Sequence, residues 1–229
     1  MNIQGFQKVT LLDFPGRVAC TVFLGGCNLR CPFCHNAGLV RTPNAEADAY
    51  GEVMDYLQKR KGILQGVCIT GGEPLLHPDL PELLHEIKSM GYAVKLDTNG
   101  YRPVVLKSLV DAGLVDYVAM DVKNSLACYG ETVGIRSFDT APIEESIDYL
   151  MEGHIPFEFR TTLVRGLHTP ESIRAMGQRT AGQERFFLQS FKDSGDLICG
   201  GLGGFTPEET AHLLAILCEY VPNAQIRGE

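Results

Sequence analysis

Apolar and polar residues run along this chain in two interleaved rhythms. Short, nearly continuous apolar stretches recur at VACTVFLGG (18–26), GVCITGG (66–72), AVKLDTNG (93–100), YVAMDVK (117–123), PFEFRTTLV (156–164) and RFFLQSF (185–191). Runs of this length read as strands covered on both faces, the habit of a parallel sheet. Between them apolar residues return at helical spacing. Leu80, Leu83, Leu84, Ile87 and Met90 form one stripe, Leu106, Leu109 and Val110 a second, Ile143, Ile147 and Leu150 a third.

The punctuation agrees with this reading. Gly91, Gly113 and Gly153 each follow a stripe and precede a strand, where a helix C-terminus favours a left-handed residue. Thr169-Pro170 and Thr206-Pro207 predict N-caps with proline in the first turn, and Thr206 with Glu209 fits a capping box. Six strand–helix units in succession predict an α/β fold in one domain, residues 1–229, with a core of about 16–192 and a C-terminal loop and helix over 193–229. Such a sheet is wound either doubly or into a barrel; six units fall short of the usual eight, so a barrel would be an incomplete (β/α)6 TIM-like one, open along one side, and this is the architecture expected. Function is then expected at the carboxyl ends of the strands.

Charge narrows the function classes. The chain carries a formal −8, and its longest basic run is Lys59-Arg60-Lys61, so no footprint for nucleic acid or an anionic membrane is present. The opening MNIQGFQKVTLLDFPG lacks a basic stretch followed by an apolar one, and no later run reaches transmembrane length. The expectation is a cytoplasmic protein, where thiols stay reduced. Eight cysteines there point to metal binding or apolar packing rather than disulfides. Cys20, Cys68, Cys128, Cys199 and Cys218 are scattered and read as ordinary small residues.

The remaining three stand together in GGCNLRCPFCHN, at Cys27, Cys31 and Cys34. A zinc site needs four ligands, and the nearest extra donors, His35 and Cys20, would each require a sharp return of the chain. A cubane iron–sulfur cluster suits compact Cys-x3-Cys-x2-Cys spacing better. Three thiolates leave one iron open for a chelating ligand. The other strand ends supply polar groups for such a ligand: Gly71-Gly72-Glu73-Pro74, Asp97-Thr98-Asn99-Gly100, Asp121 and Lys123, Arg160 to Thr162, and Gln189. Singly each reads as a solvated end or, for Asn99-Gly100, as a turn. His77, just after the GGEP run, reads as a solvated loop residue, with a place at the rim as the alternative.

With Phe33 just before the last cysteine, and with GGEP at 71–74, the chain resembles the radical S-adenosylmethionine superfamily. More narrowly, DFPGRVACTVFLGGCNLRCPFCHN, ITGGEPLL, VKLDTNG, DYVAMDVK, FRTTLV, FLQSF and the ending IRGE resemble activating proteins of anaerobic ribonucleoside-triphosphate reductase, with much shared by pyruvate formate-lyase activases. The resemblance implies an oxidoreductase in which Cys27, Cys31 and Cys34 hold a 4Fe-4S cluster whose open iron takes the amino and carboxylate groups of S-adenosylmethionine. It implies Glu73 near the methionine ammonium, Gly71 and Gly72 letting the backbone approach the ligand, Phe33 at the adenine, and Lys123 and Arg160 toward the carboxylate or ribose. In the formate-lyase activases a monovalent cation bridges to that carboxylate, and Asp97, Thr98 and Asp121 stand at the matching positions.

The implied reaction is reductive cleavage to methionine and a 5′-deoxyadenosyl radical. That radical removes a hydrogen atom from a glycine of a partner glycyl-radical enzyme, and a flavodoxin or ferredoxin supplies the electron. Two readings stand beside it: a radical enzyme acting on a pyruvate formate-lyase-like enzyme, another peptide or a small molecule, and a non-enzymatic zinc-binding module. The run Gly200-Gly201-Leu202-Gly203-Gly204 is expected to border a lateral mouth that admits the glycine loop, or to serve as a connector.

Overall fold

The computed structural model describes residues 2–41, 49–193 and 195–227; Gly228 and Glu229 of the IRGE ending lie outside the described residues. The chain opens with a hairpin, β1 (Ile3–Thr10) against β2 (Ala19–Leu24), followed by α1 (Ala37–Arg41) and α2 (Tyr50–Lys59). Then come β3 (Gly66–Gly71), α3 (Leu80–Ser89), β4 (Ala93–Thr98), α4 (Pro103–Asp111), β5 (Tyr117–Asp121) and α5 (Tyr129–Thr132). The remainder is α6 (Ala141–Met151), β6 (Phe157–Leu163), α7 (Pro170–Arg179), β7 (Phe186–Ser190), α8 (Pro207–Cys218) and β8 (Gln225–Arg227).

All eight strands form one sheet in strict chain order. The six predicted strands, β2 to β7, are parallel neighbours, each followed by helical chain. Of the two windings the apolar rhythm allows, strict chain order leaves the incomplete TIM-like barrel, because a doubly wound sheet reverses its strand order. Two flanking strands lie outside that rhythm. β1 pairs antiparallel with β2, and β8 adds a short parallel edge beside β7. β1 is buried only at its two ends, so it shows no apolar run. β8 has three residues and is held by Arg227, whose guanidinium meets both oxygens of fully buried Glu158 at 2.7 and 3.2 Å.

The stripes face the sheet as expected. Leu80, Leu83, Leu84 and Ile87 of α3 are buried, as are Leu106 and Leu109 of α4 and Ile143, Ile147 and Leu150 of α6. Gly91, Gly113 and Gly153 adopt φ of 91°, 67° and 82°, the left-handed turn a helix C-terminus needs. Thr169 and Thr206 cap α7 and α8 through reciprocal capping boxes with Ser172 and Glu209. No helix among the described residues is long and apolar enough to cross a membrane.

Candidate active site

A cavity opens at the carboxyl ends of β3 to β7, beneath the loop that follows β2. Its walls include Cys27, Cys31, Phe33 and Cys34 from that loop, Gly71 at the end of β3 and Gly72 after it, Asp97 and Thr98 of β4, Asp121 at the end of β5 and Lys123 beyond it, and Arg160 of β6. The structure thus gathers nearly all the expected site residues, from five separate strand ends, around one space. Thr162 and Gln189, paired across β6 and β7, complete the far wall. Thr161, between Arg160 and Thr162, points the other way and donates to Val122 O, as strand alternation requires.

The cysteine loop is braced on three sides. Arg30 donates through Nη1 to Cys27 O (2.6 Å) and Leu29 O (2.7 Å), while its backbone N–H bonds Val133 O at 3.0 Å. Beyond β7, the backbone N–H of Cys199 bonds Pro32 O at 2.9 Å, and Gly38 N bonds Asp196 Oδ2 at 3.1 Å. The glycine-rich run 200–204 is therefore no free connector. It starts against the cysteine loop, and Gly203 pairs with Arg165 after β6.

All three thiols are free, and each lines the cavity. Burial pushes the Cys31 thiol up to about 12, with the Lys123 ammonium pulling the other way. Burial also raises Cys27, opposed by the Leu29 N–H, which lies 3.4 Å from its sulfur. No other cysteine reaches the cavity wall among the described residues. Three thiols line one shared space, and among the described residues no three such donors converge on a single ion; the set suits a cubane cluster with one open corner, whose separate irons each take one thiolate, rather than a mononuclear site.

From the barrel interior to the cavity wall runs a chain of alternating charges, whose Lys123 end acts on Cys27 and Cys31. Lys95 pairs with Asp97 Oδ1, and Asp97 Oδ2 takes Arg160 Nη1 at 3.1 Å. Arg160 Nε meets Asp121 Oδ1 at 2.9 Å, and Asp121 Oδ2 takes Lys123 Nζ at 2.9 Å. Register makes this possible, because Asp121 and Arg160 are direct partners across β5 and β6. Burial alone would raise the Asp121 carboxyl, but Arg160 and Lys123 outweigh it and hold it at about 2. Asp97 is held below the usual range in the same way by Arg160 and Lys95. Lys123 and Arg160 are held above theirs, because their carboxylate partners outweigh burial.

Glu73 and the two glycines are set differently from the other expected residues. Glu73 is not part of the cavity wall. It is fully buried behind the wall and accepts from Leu75 N (3.0 Å), Thr98 Oγ1 (2.7 Å) and Asn99 N (2.6 Å). Burial raises its carboxyl to about 7, with those donors pulling down. Gly71 and Gly72 do reach the cavity, but the close approach that demands glycine is to the protein itself. A Cβ on Gly72 would collide with Gly26 O, and one on Gly71 with Leu24 O.

Some residues escaped the sequence. Asn99, expected to be a mere turn residue, directs Nδ2 toward Cys27 Sγ (3.8 Å) and Asn28 Oδ1 (2.9 Å). Asn36 bonds Gly71 O at 3.1 Å, tying the cysteine loop to β3. His35 lines the cavity and stacks on Phe191, ring centroids 5.7 Å apart. His77 ties the GGEP turn to Gly25 O at 2.9 Å rather than reaching the rim.

The family model described as the radical SAM superfamily matches residues 21–176, a span that holds every residue of the charge chain and all three cavity cysteines. The chain is 30% identical, over 98% of its length and 95% of the relative's, to a Methanocaldococcus jannaschii protein provisionally described as a glycyl-radical enzyme activating enzyme. It is 30% identical to the pyruvate formate-lyase-activating enzyme of Clostridium pasteurianum over 54% of this chain and 52% of that one. It is 33% identical to 7-carboxy-7-deazaguanine synthase of Neisseria meningitidis over 55% and 52%. Among solved structures, Streptococcus suis SuiB bound to S-adenosylmethionine aligns with a TM-score of 0.69 at 16% identity, covering 89% of this chain; the chain spans about half of SuiB, 48%. That likeness is one of fold. The match over most of the chain, and the three thiols it contains, place the protein in the radical S-adenosylmethionine superfamily, whose cofactors are a 4Fe-4S cluster and S-adenosylmethionine.

Proposed function

We propose that this protein is a glycyl-radical enzyme activase: it cleaves S-adenosylmethionine reductively at a 4Fe-4S cluster, and the 5′-deoxyadenosyl radical so formed removes a hydrogen atom from a glycine of a partner enzyme. The partner its motifs resemble most is that of anaerobic ribonucleoside-triphosphate reductase activases, and a flavodoxin or ferredoxin supplies the electron. The observation that carries the reading is the meeting, across one cavity, of three free thiols and a cation-rich charge chain. Similarity to the M. jannaschii relative over nearly the whole of both chains supports the activase class.

In this reading Cys27, Cys31 and Cys34 hold the cluster and leave one iron to the ligand. Lys123 and Arg160 offer positive charge to the ligand carboxylate, and Asp121 and Asp97 keep those two cations in place. Phe33, buried at the wall, packs against the adenine. Glu73 acts from behind, fixing the Thr98-Asn99 backbone that forms the floor. In this reading the loop from Cys199 to Gly203, tied to the cysteine loop by the Cys199–Pro32 bond, borders the mouth through which a partner's glycine segment approaches.

The test is to reduce the anaerobically reconstituted protein, add S-adenosylmethionine and candidate glycyl-radical enzymes, and look for the glycyl doublet by electron paramagnetic resonance. A doublet with the ribonucleotide reductase, lost in Cys31→Ala, is expected. The similarity to 7-carboxy-7-deazaguanine synthase favours one alternative, a small-molecule substrate. Release of 5′-deoxyadenosine with no doublet on any candidate would select it.

A further inference from the structure

The resemblance to formate-lyase activases implies an alkali cation held by Asp97, Thr98 and Asp121. The residues present do not fit one. Asp97 already receives Lys95 on Oδ1 and Arg160 on Oδ2, and Asp121 receives Arg160 on Oδ1 and Lys123 on Oδ2. The Thr98 hydroxyl donates to Glu73 and accepts the Gly100 N–H at 3.1 Å. Each of these side chains already meets the protein's own groups, and although a carboxylate oxygen keeps a second lone pair, the charge those groups bring is what an alkali ion would have to oppose.

Lys95 is the residue that changes the balance. It is 1% exposed, in the interior of the barrel, where register sets it beside Cys68 of β3. Among the described residues its ammonium bonds Asp97 and the Cys68 sulfur, the latter at 3.9 Å. A buried ammonium is stable only when paired, so Lys95 and Asp97 hold one another. Glu158, which also acts on Arg160, is balanced by its own partner Arg227; within the charge chain itself three cations, Lys95, Arg160 and Lys123, face two carboxylates, Asp97 and Asp121. The surplus is one positive charge, the complement of one ligand carboxylate. An alkali ion would add a second positive charge to a site already in excess.

We propose that the Lys95 ammonium is a built-in cation, so that this protein binds the carboxylate of S-adenosylmethionine without an alkali metal. The inference rests on the reading of the cavity as the S-adenosylmethionine site. Lys95 is a positioning residue: it acts on the ligand through Asp97 and Arg160.

The experiment measures S-adenosylmethionine affinity of the anaerobically reconstituted protein in potassium chloride and in choline chloride at equal ionic strength. The wild-type dissociation constant is expected to agree within about twofold between the two salts, well below the tenfold that one lost charge contact gives. Lys95→Met is expected to lose about tenfold or more in choline chloride, because Asp97 then lacks its inner partner. Recovery of that variant in potassium chloride would show an alkali ion taking the vacated place. A wild type that weakens about tenfold in choline chloride, or a folded Lys95→Met indistinguishable from wild type in both salts, overturns the proposal. Should the variant fail to fold, the wild-type comparison decides alone. Absence of binding in either salt would instead overturn the reading of the cavity, so the two failures are distinct.

Discussion

The Glu73 carboxylate accepts the backbone N–H of Asn99 at 2.6 Å, joining the turn after β3 to the turn after β4 from behind the cavity. Its other oxygen takes Leu75 N and the Thr98 hydroxyl, so one buried side chain sets two of the loops that shape the site. Glu73→Gln replaces an acceptor by an NH2 group, which must face one of these donors. A loss of about 1–3 kcal/mol of folding stability is expected, read by urea unfolding of the protein before reconstitution. Unchanged stability would show that the two turns hold themselves.

Asn99 connects that support to the thiols. Its amide nitrogen lies 3.8 Å from Cys27 Sγ, and a hydrogen bond to a cluster sulfur favours the more negative, reduced state. In Asn99→Ala the reconstituted cluster is expected to become harder to reduce, by roughly 20–60 mV if the bond contributes about 0.5–1.5 kcal/mol. A redox titration followed by electron paramagnetic resonance measures it; a potential equal to wild type refutes the contact.

At Gly72 the constraint is steric. The β2 and β3 ends approach so closely that Gly72 N bonds Leu24 O at 2.8 Å and Glu73 N bonds Gly26 O at 2.8 Å. Gly72→Ala must push these segments apart, and a loss of about 1–3 kcal/mol is expected from overpacking. The same change at Gly200, where a Cβ meets nothing within 4 Å, is expected to leave the melting temperature unmoved and serves as the control.

Acid should dissolve the charge chain. The Asp121 carboxyl is held at about 2 in the folded protein, against 3.8 when unfolded. A depressed value means its stabilisation is complete above about pH 4 and is lost as pH falls from there through about 2. The amount is on the order of 2 kcal/mol, with Asp97 titrating in the same direction. Stability of wild type and of Asp121→Asn, compared from pH 5 downward, is expected to converge toward pH 2. A gap that stays constant with pH would place the effect of that substitution in packing rather than charge.

Much of this protein was legible before any fold was drawn. Six apolar runs became six parallel strands, and three helical stripes became buried helix faces, because both are local periodicities that burial on one or two sides imposes. The capping boxes at Thr169 and Thr206 and the cysteine spacing are equally local. β1 and β8 were not legible, since an edge strand with one half-exposed face, or with three residues, needs no apolar run.

The chain by itself determined the parts of the site: which side chains end the strands, and that three thiols share one loop. The tertiary structure decided their roles. Whether Glu73 faces the cavity or supports it, whether Asn99 ends as a turn or reaches Cys27, and whether Asp97 is free or already held by Lys95, each depends on partners from other strands. Those partners are set by strand register and by how closely neighbouring loops pack, which are properties of pairs of segments far apart in the chain. A single segment carries its own periodicity, but it does not carry the field and the contacts of the segments that fold against it.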